Sequence, residues 1–260
     1  MTHETLWLRA LLAAFAIIPA AAHAQGLTLS TGIEYSSGKY GETEKTEMYN
    51  LPVTAKYETG LWTFRLSLPI VRVTGPANVV VVGDDVVTIP GASTARRTET
   101  GLGDLTGSAF YNLLDERTSQ FGLDVGAKVK LGTADEDKGL GTGENDHSVQ
   151  ADVYKPVGDA TTAFGSLGYR FYGDPPGVDL RSVFYGSLGG SYRISPDSSF
   201  GLAYDFRPRI TDAGSQVSEA TAFLSQRVSR EMKLQYYGVK GFADGSPDFA
   251  LGVMLIYAYQ

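Results

Sequence analysis

The chain has 260 residues, a formal charge of −7 and no cysteine. The missing cysteine excludes a disulfide framework and a thiolate metal site, and the acidic balance with scattered Lys and Arg leaves no continuous basic footprint for nucleic acid. A hydrophobic share of 43% would pass for a soluble domain, so distribution decides: 31 Gly, 15 Tyr and 12 Phe fall in short alternating segments, which reads as all-β.

Residues 1–24 read as a secretory signal peptide. Arg9 supplies the positive region, Ala10 to Ile18 the apolar run, and Ala22-His23-Ala24 an A-x-A cleavage site. That run falls short of the ~20 residues of a transmembrane helix, and no other stretch approaches such a length without charges. Cleavage would remove Glu4 and Arg9 together, so residues 25–260 keep the −7 charge and a single histidine, His147.

From Gln25 onward the alternation runs strand by strand, because every second side chain of a strand faces the same way. Leu27, Leu29, Ile33 and Tyr35 share one parity in the first strand, and Leu51, Val53, Ala55 and Tyr57 in the second. Trp62, Phe64, Leu66, Leu68 and Ile70 alternate with Thr63, Arg65 and Ser67 in the third. A fourth strand follows a long insertion (Leu105, Ala109, Tyr111, Leu113), then a fifth from Phe121 to Leu131 whose other face carries Asp124, Lys128 and Lys130. Asp152 stands opposite Val149, Ala151 and Val153 in the sixth, and Arg170 opposite Leu167, Tyr169 and Phe171 in the seventh. Phe184, Leu188, Tyr192 and Ile194 mark the eighth. Asp205 and Arg207 oppose Phe200 to Phe206 in the ninth, while Glu219 and Arg227 oppose Ala220 to Val228 in the tenth. Leu234 and Tyr236 open an eleventh, and Phe249 to Tyr259 form the last.

Twelve strands of roughly ten residues match tilted membrane-crossing strands in the even number of bacterial barrels. The links form an independent pattern. Those after odd strands are long or charged (Ser36 to Glu47, Val73 to Thr100, Thr133 to Asn145), whereas those after even strands are tight (Thr59-Gly60, Asp115 to Ser119, Pro156 to Ala160). Short periplasmic turns alternating with longer external loops predict a transmembrane antiparallel up-and-down β-barrel of about 12 strands. A soluble β-sandwich or lipocalin-like barrel shows the same alternation with its apolar face inward, and parity alone does not say which face is out. The loop asymmetry and the Tyr and Trp at strand ends favour the membrane.

The segment TGLGDLTGSAFYNLL (Thr100 to Leu114), followed by GLDVGAKVKLGTADEDKGLGTGENDHSVQADVYKPVG (Gly122 to Gly158), resembles the outer-membrane proteins grouped as the MetA-pathway phenol-degradation family; LSLPIVRVTGP (Leu66 to Pro76) fits it too. The resemblance implies an outer-membrane transporter, linked in some members to uptake of aromatic or other hydrophobic compounds.

Catalytic candidates are few. His147 and Ser148 could suggest a lipid-hydrolysing barrel, but adjacent strand residues point to opposite faces, so the pair is poorly placed as base and nucleophile. The acidic loop TADEDKGLGTGEND lacks the ligand spacing of an EF-hand and reads as a solvated loop. Neither a metal nor any other cofactor is expected. The insertion NVVVVGDDVVTIPG (Asn78 to Gly91) holds two apolar runs around a Gly-Asp-Asp turn, each too short to cross a bilayer. It is expected either as a hairpin above the barrel or as a loop folded into its mouth.

The wet face predicts a lumen lined by Arg65, Asp124, Lys128, Lys130, Asp152, Arg170, Asp205, Arg207, Glu219 and Arg227. Mixed charges of this kind either pair across a narrow bore or line a water-filled path. The expected function is passive outer-membrane uptake of small, hydrophobic or aromatic compounds, with gating by loops. The expected partners are outer-membrane lipid, lipopolysaccharide, the solute and the barrel-assembly machinery, with no nucleic acid. A lipid-modifying enzyme and a closed structural or adhesive barrel are the alternatives.

Overall fold

A computed structural model describes residues 26–259, apart from 84, 90, 91, 117, 176 and 213. The expected signal peptide lies outside the described residues. The chain runs through β1 (Leu27–Gly38), β2 (Thr46–Thr59), β3 (Trp62–Pro76), β4 (Val79–Val82), β5 (Asp85–Thr88), β6 (Arg96–Leu102), β7 (Leu105–Leu114) and β8 (Gly122–Leu131). It continues through β9 (Asp146–Val157), β10 (Thr161–Phe171), β11 (Val183–Ser195), β12 (Ser198–Arg207), β13 (Val217–Arg227), β14 (Met232–Gly241) and β15 (Phe249–Ala258). Twelve of these form one closed antiparallel ring in the order β1, β2, β3 and then β7 to β15, with β15 pairing back onto β1 from Thr28↔Ala258 to Ser37↔Phe249. Closure leaves no edge, so every strand in the ring has a partner on both sides, as a lipid environment requires.

The large apolar side chains of the alternating pattern stand on the outer surface. Leu167, Phe184 and Leu188 are 61%, 62% and 70% exposed. A soluble barrel would bury them, so the parity that the sequence left open resolves in favour of an outward apolar face. Aromatic contacts collect at its two ends. Trp62 meets Tyr111 and Phe64 at the tight-turn end, where Tyr257 also meets Tyr259, while Tyr35 meets Tyr49 and Phe249 at the long-loop end. Two girdles flanking an apolar band are the expected signature of a membrane-spanning wall.

The third and fourth predicted strands extend further than their apolar parity indicates. β3 continues to Pro76, past Val73, and β6 pairs with its upper half before β7 pairs with its lower half. Three residues separate Leu102 from Thr106, whereas two separate their partners Ile70 and Ser67. The extra residue makes a bulge at Gly103-Asp104, which turns the Asp104 carboxylate toward Lys130.

Inside the wall, rings lie over glycines. Phe110 covers Gly126, Tyr154 covers Gly122, Phe164 covers Gly189, Tyr185 covers Gly168, Phe223 covers Gly201 and Tyr237 covers Gly252, each ring directly opposite its glycine across a strand pair. A Cβ at any of these glycines would collide with the ring. Gly201→Val should therefore push Phe223 off its site and cost about 1–3 kcal/mol, seen as a lower thermal unfolding temperature in detergent. The double variant Gly201→Val/Phe223→Ala should recover part of the loss, and equal stability of Gly201→Val and wild type would contradict the packing.

The insertion folds inward. β4 and β5 form a two-stranded hairpin of their own, and Val79 to Val82, Val86 and Val87 are all buried. One face (Val80, Val82, Val87) packs on Tyr172, Leu180 and Ile210, while Val81 packs against Val71, Val73, Ala134 and Leu140 and Val79 and Val86 against Tyr40. A run apolar on both faces cannot stand in water above the barrel; burying each valine contributes roughly 1.5–3 kcal/mol. It also explains why Val71 and Val73 occupy the otherwise polar parity of β3, since they face the hairpin rather than water.

Candidate functional site

The functional candidate is the lumen beneath this hairpin. Backbone bonds hold the hairpin in place: Ile89 N–H donates to Asn78 O at 2.8 Å, and Val81 N–H to Gly139 O in the loop after β8 at 3.1 Å. Side chains add to this, with Asn78 Nδ2 donating to Glu42 at 2.8 Å and Thr88 Oγ1 to Tyr40 O at 2.9 Å. Arg97 ties the segment to its neighbours through Ala77 O at 3.2 Å and Asp137 O at 3.1 Å. Below lies a cavity of about 520 Å³ in the barrel, and a second of about 470 Å³ lies among the long loops. Tyr40, Val86 and Gly245 border both, so they form the partition between vestibule and lumen. Tyr40 adopts a left-handed backbone with φ of 51°, a conformation that costs a non-glycine residue about 1–2 kcal/mol and is held here by its buried ring. Burial, and then the nearby carboxylates Glu219, Glu34 and Asp248, push its hydroxyl above the usual range, against a hydrogen bond with Ser36.

A buried ionic clasp anchors the loops at the hairpin tip. Lys130 Nζ lies 3.0 Å from Asp104 Oδ2 and 3.2 Å from Asp146 Oδ2. It also donates to Thr142 Oγ1 at 3.4 Å. Asp104 Oδ1 accepts from Thr133 N–H at 3.1 Å and Ala134 N–H at 3.0 Å, and Asp146 Oδ1 from Gly173 N–H at 3.0 Å. One cation thus joins the bulge, the loop after β8 and the start of the loop after β10. Elsewhere in the acidic loop, Asp135 pairs with Lys138 at 3.1 Å, a contact that holds its carboxyl below the usual range. Among the described residues no three acidic or histidine side chains gather as a metal site would need.

Of the sequence-predicted lumen charges, Arg65, Lys128, Lys130, Arg170 and Glu219 border the larger cavity, although Lys130 is almost wholly buried in the clasp. Arg207 borders the vestibule and donates to Pro208 O at 3.1 Å. Asp124 accepts from Asn112 Nδ2 at 2.6 Å, Asp152 from Gln150, and half-buried Asp205 stands across from Glu219. Arg227 sits in the open at the turn end, its N–H donating to Asp197 O at 2.7 Å. The structure adds Glu34 to the lumen, accepting from the Tyr237 hydroxyl at 2.7 Å. Sequence reasoning did not single it out, yet it occupies the wet parity between Ile33 and Tyr35. His147 is exposed on the outer face beside its strand partners Val129 and Phe171, and Ser148 is buried on the inner face, so the two side chains do not meet.

A closed ring with a girdled apolar exterior and a polar interior roofed by an inward loop defines a transmembrane β-barrel of the outer-membrane class. The chain belongs to the family described as "Putative MetA-pathway of phenol degradation", whose model matches residues 19–260. Among solved structures, the COG4313 outer membrane channel from Pseudomonas putida F1 is similar at 16% identity, covering 90% of this chain and 96% of that one, with a TM-score of 0.66. The NanC porin is similar at 11% identity, covering 88% and 98%, with a TM-score of 0.57. The translocator domain of the autotransporter NalP from Neisseria meningitidis is similar at 12% identity, covering 98% and 95%, with a TM-score of 0.54. These likenesses concern the fold. No curated protein matches by sequence.

Proposed function

We propose that the protein is an outer-membrane channel for passive uptake of small compounds, hydrophobic or aromatic ones among them, and that it carries no catalytic centre. The observation behind this reading is the cavity of about 520 Å³ kept open inside the ring, of a size that takes a small organic molecule. A twelve-stranded ring is wider than the eight-stranded size that side chains fill. The family's description and the channel and porin named above favour the same reading. On this reading residues 1–24 are an export signal removed from the mature barrel, and the wall meets outer-membrane lipid and lipopolysaccharide after insertion by the barrel-assembly machinery.

Refolded protein in a planar bilayer should give discrete single-channel conductance steps in simple salt. A correctly folded barrel that stays silent would overturn the channel reading in favour of a closed structural barrel.

A further inference from the structure

The strand register sorts the lumen charges into two rows. Arg65 pairs with Ser108, Ser108 with Lys128, Lys128 with Ser148 and Ser148 with Arg170, one unbroken line across β3, β7, β8, β9 and β10. All five residues border the larger cavity. Cations and hydroxyls alternate along it, and neighbouring strands lie about 4.8 Å apart, so successive cations are about 10 Å apart. A second line joins Asp124 to Asp152 and then, through Ser166 and Ser187, to Asp205 and Glu219. On β8 the acidic row lies four residues nearer the turn end than the cationic one.

At the level of the larger cavity the two signs face each other. Arg65, Lys128 and Arg170 occupy a continuous arc from β3 to β10, and the acids Glu34 and Glu219 stand on β1 and β13, on the other side of the ring. Rings accompany the cations: Arg170 lies between Tyr172 and Tyr185 at 5.6 and 5.2 Å from their centroids, and Lys128 lies 5.8 Å from that of Phe110.

We infer that this cationic row is a binding track for small aromatic carboxylates. The carboxylate accepts charge-assisted hydrogen bonds from the cations and from the Ser108 and Ser148 hydroxyls between them, and the ring of the solute packs on the aromatic faces alongside. The facing acids repel the anion and so confine it to one wall. The row climbs toward the long-loop end because the strands are tilted, so a solute released by Arg170 has Lys128 and then Arg65 as its next partners on the way inward. This inference rests on the channel reading above and fixes its solute class.

The test is block of single-channel current by benzoate, with benzyl alcohol as the neutral molecule of similar shape, at a pH where benzoate is ionised. Benzoate should block wild type at concentrations at which benzyl alcohol does not. Lys128→Gln and Arg65→Gln should each raise the half-blocking benzoate concentration about tenfold, the value of one charge-assisted hydrogen bond. Lys155→Gln, which removes a positive charge from the outer face of β9, should leave block unchanged. Equal block by both molecules, or wild-type block in Lys128→Gln, would overturn the track while leaving the conductance steps, and with them the channel reading, intact. Absence of steps in wild type would instead remove the channel reading itself.

Discussion

Removal of residues 79–88, with two glycines joining Asn78 to Ile89, should raise single-channel conductance severalfold. The two joined residues already meet through a 2.8 Å backbone hydrogen bond, so the shortened link closes without strain. β4 and β5 pair only with each other, so the twelve-stranded ring loses no strand pairing when they go. What goes is the valine-packed roof, including the contribution of Val86 to the partition, and the cavities of about 520 and 470 Å³ then merge. The deleted variant should insert and fold as wild type does while carrying more current. Unchanged conductance would mean that the narrowest point of the path lies below the hairpin and not at it.

Lys130→Met should be the most destabilising single substitution in the loop system, at about 3–5 kcal/mol, because it leaves two buried carboxylates facing each other without their shared cation. Side-chain exposures of 7%, 2% and 5% for Lys130, Asp104 and Asp146 leave little water to take over. Urea unfolding in detergent, followed by tryptophan fluorescence, measures the loss. The triple variant Lys130→Met/Asp104→Asn/Asp146→Asn, which removes all three charges, should regain much of it. A triple variant no more stable than Lys130→Met would show that the carboxylates were not the source of the penalty.

The wall was legible in the sequence for a physical reason: lipid outside and water inside impose period-two alternation on each crossing strand. Trp62 to Ile70 and Phe200 to Phe206 carry that signal with little interruption. The hairpin was legible only as a choice, because a valine run around Gly-Asp-Asp reads alike whether it packs inward or pairs elsewhere. Deciding it needed its partners, and Tyr172, Leu180 and Ile210 come from distant loops. The rows of charge were unreadable for a related reason. Their register across β3 and β7 is set beyond a long insertion and a bulge, and across β8 and β9 beyond a loop of fourteen residues, 132–145, where no turn type fixes the pairing. Lys130 looked like one more wet-face cation; its burial depends on Asp104 being turned inward by that bulge. The ring-and-glycine pairs did leave a trace, in glycines that recur on the polar parity of β8, β10, β12 and β15.

Those glycines also bear on how a solute would travel. Six inward aromatic side chains could be expected to choke a barrel of this size. Because each ring folds onto a neighbouring strand, it occupies the hollow left by a missing side chain instead of projecting across the bore. The bore is therefore surfaced in places by ring faces, and the three tyrosine hydroxyls among them are already bonded to Glu34, Gln150 and Asn112, so a solute can slide over the faces without breaking a hydrogen bond of its own. Phe110 and Tyr185 lie beside the cations while Phe164 and Phe223 lie apart from them, so the pace of transit follows from how often a charged hold interrupts the bare ring surface.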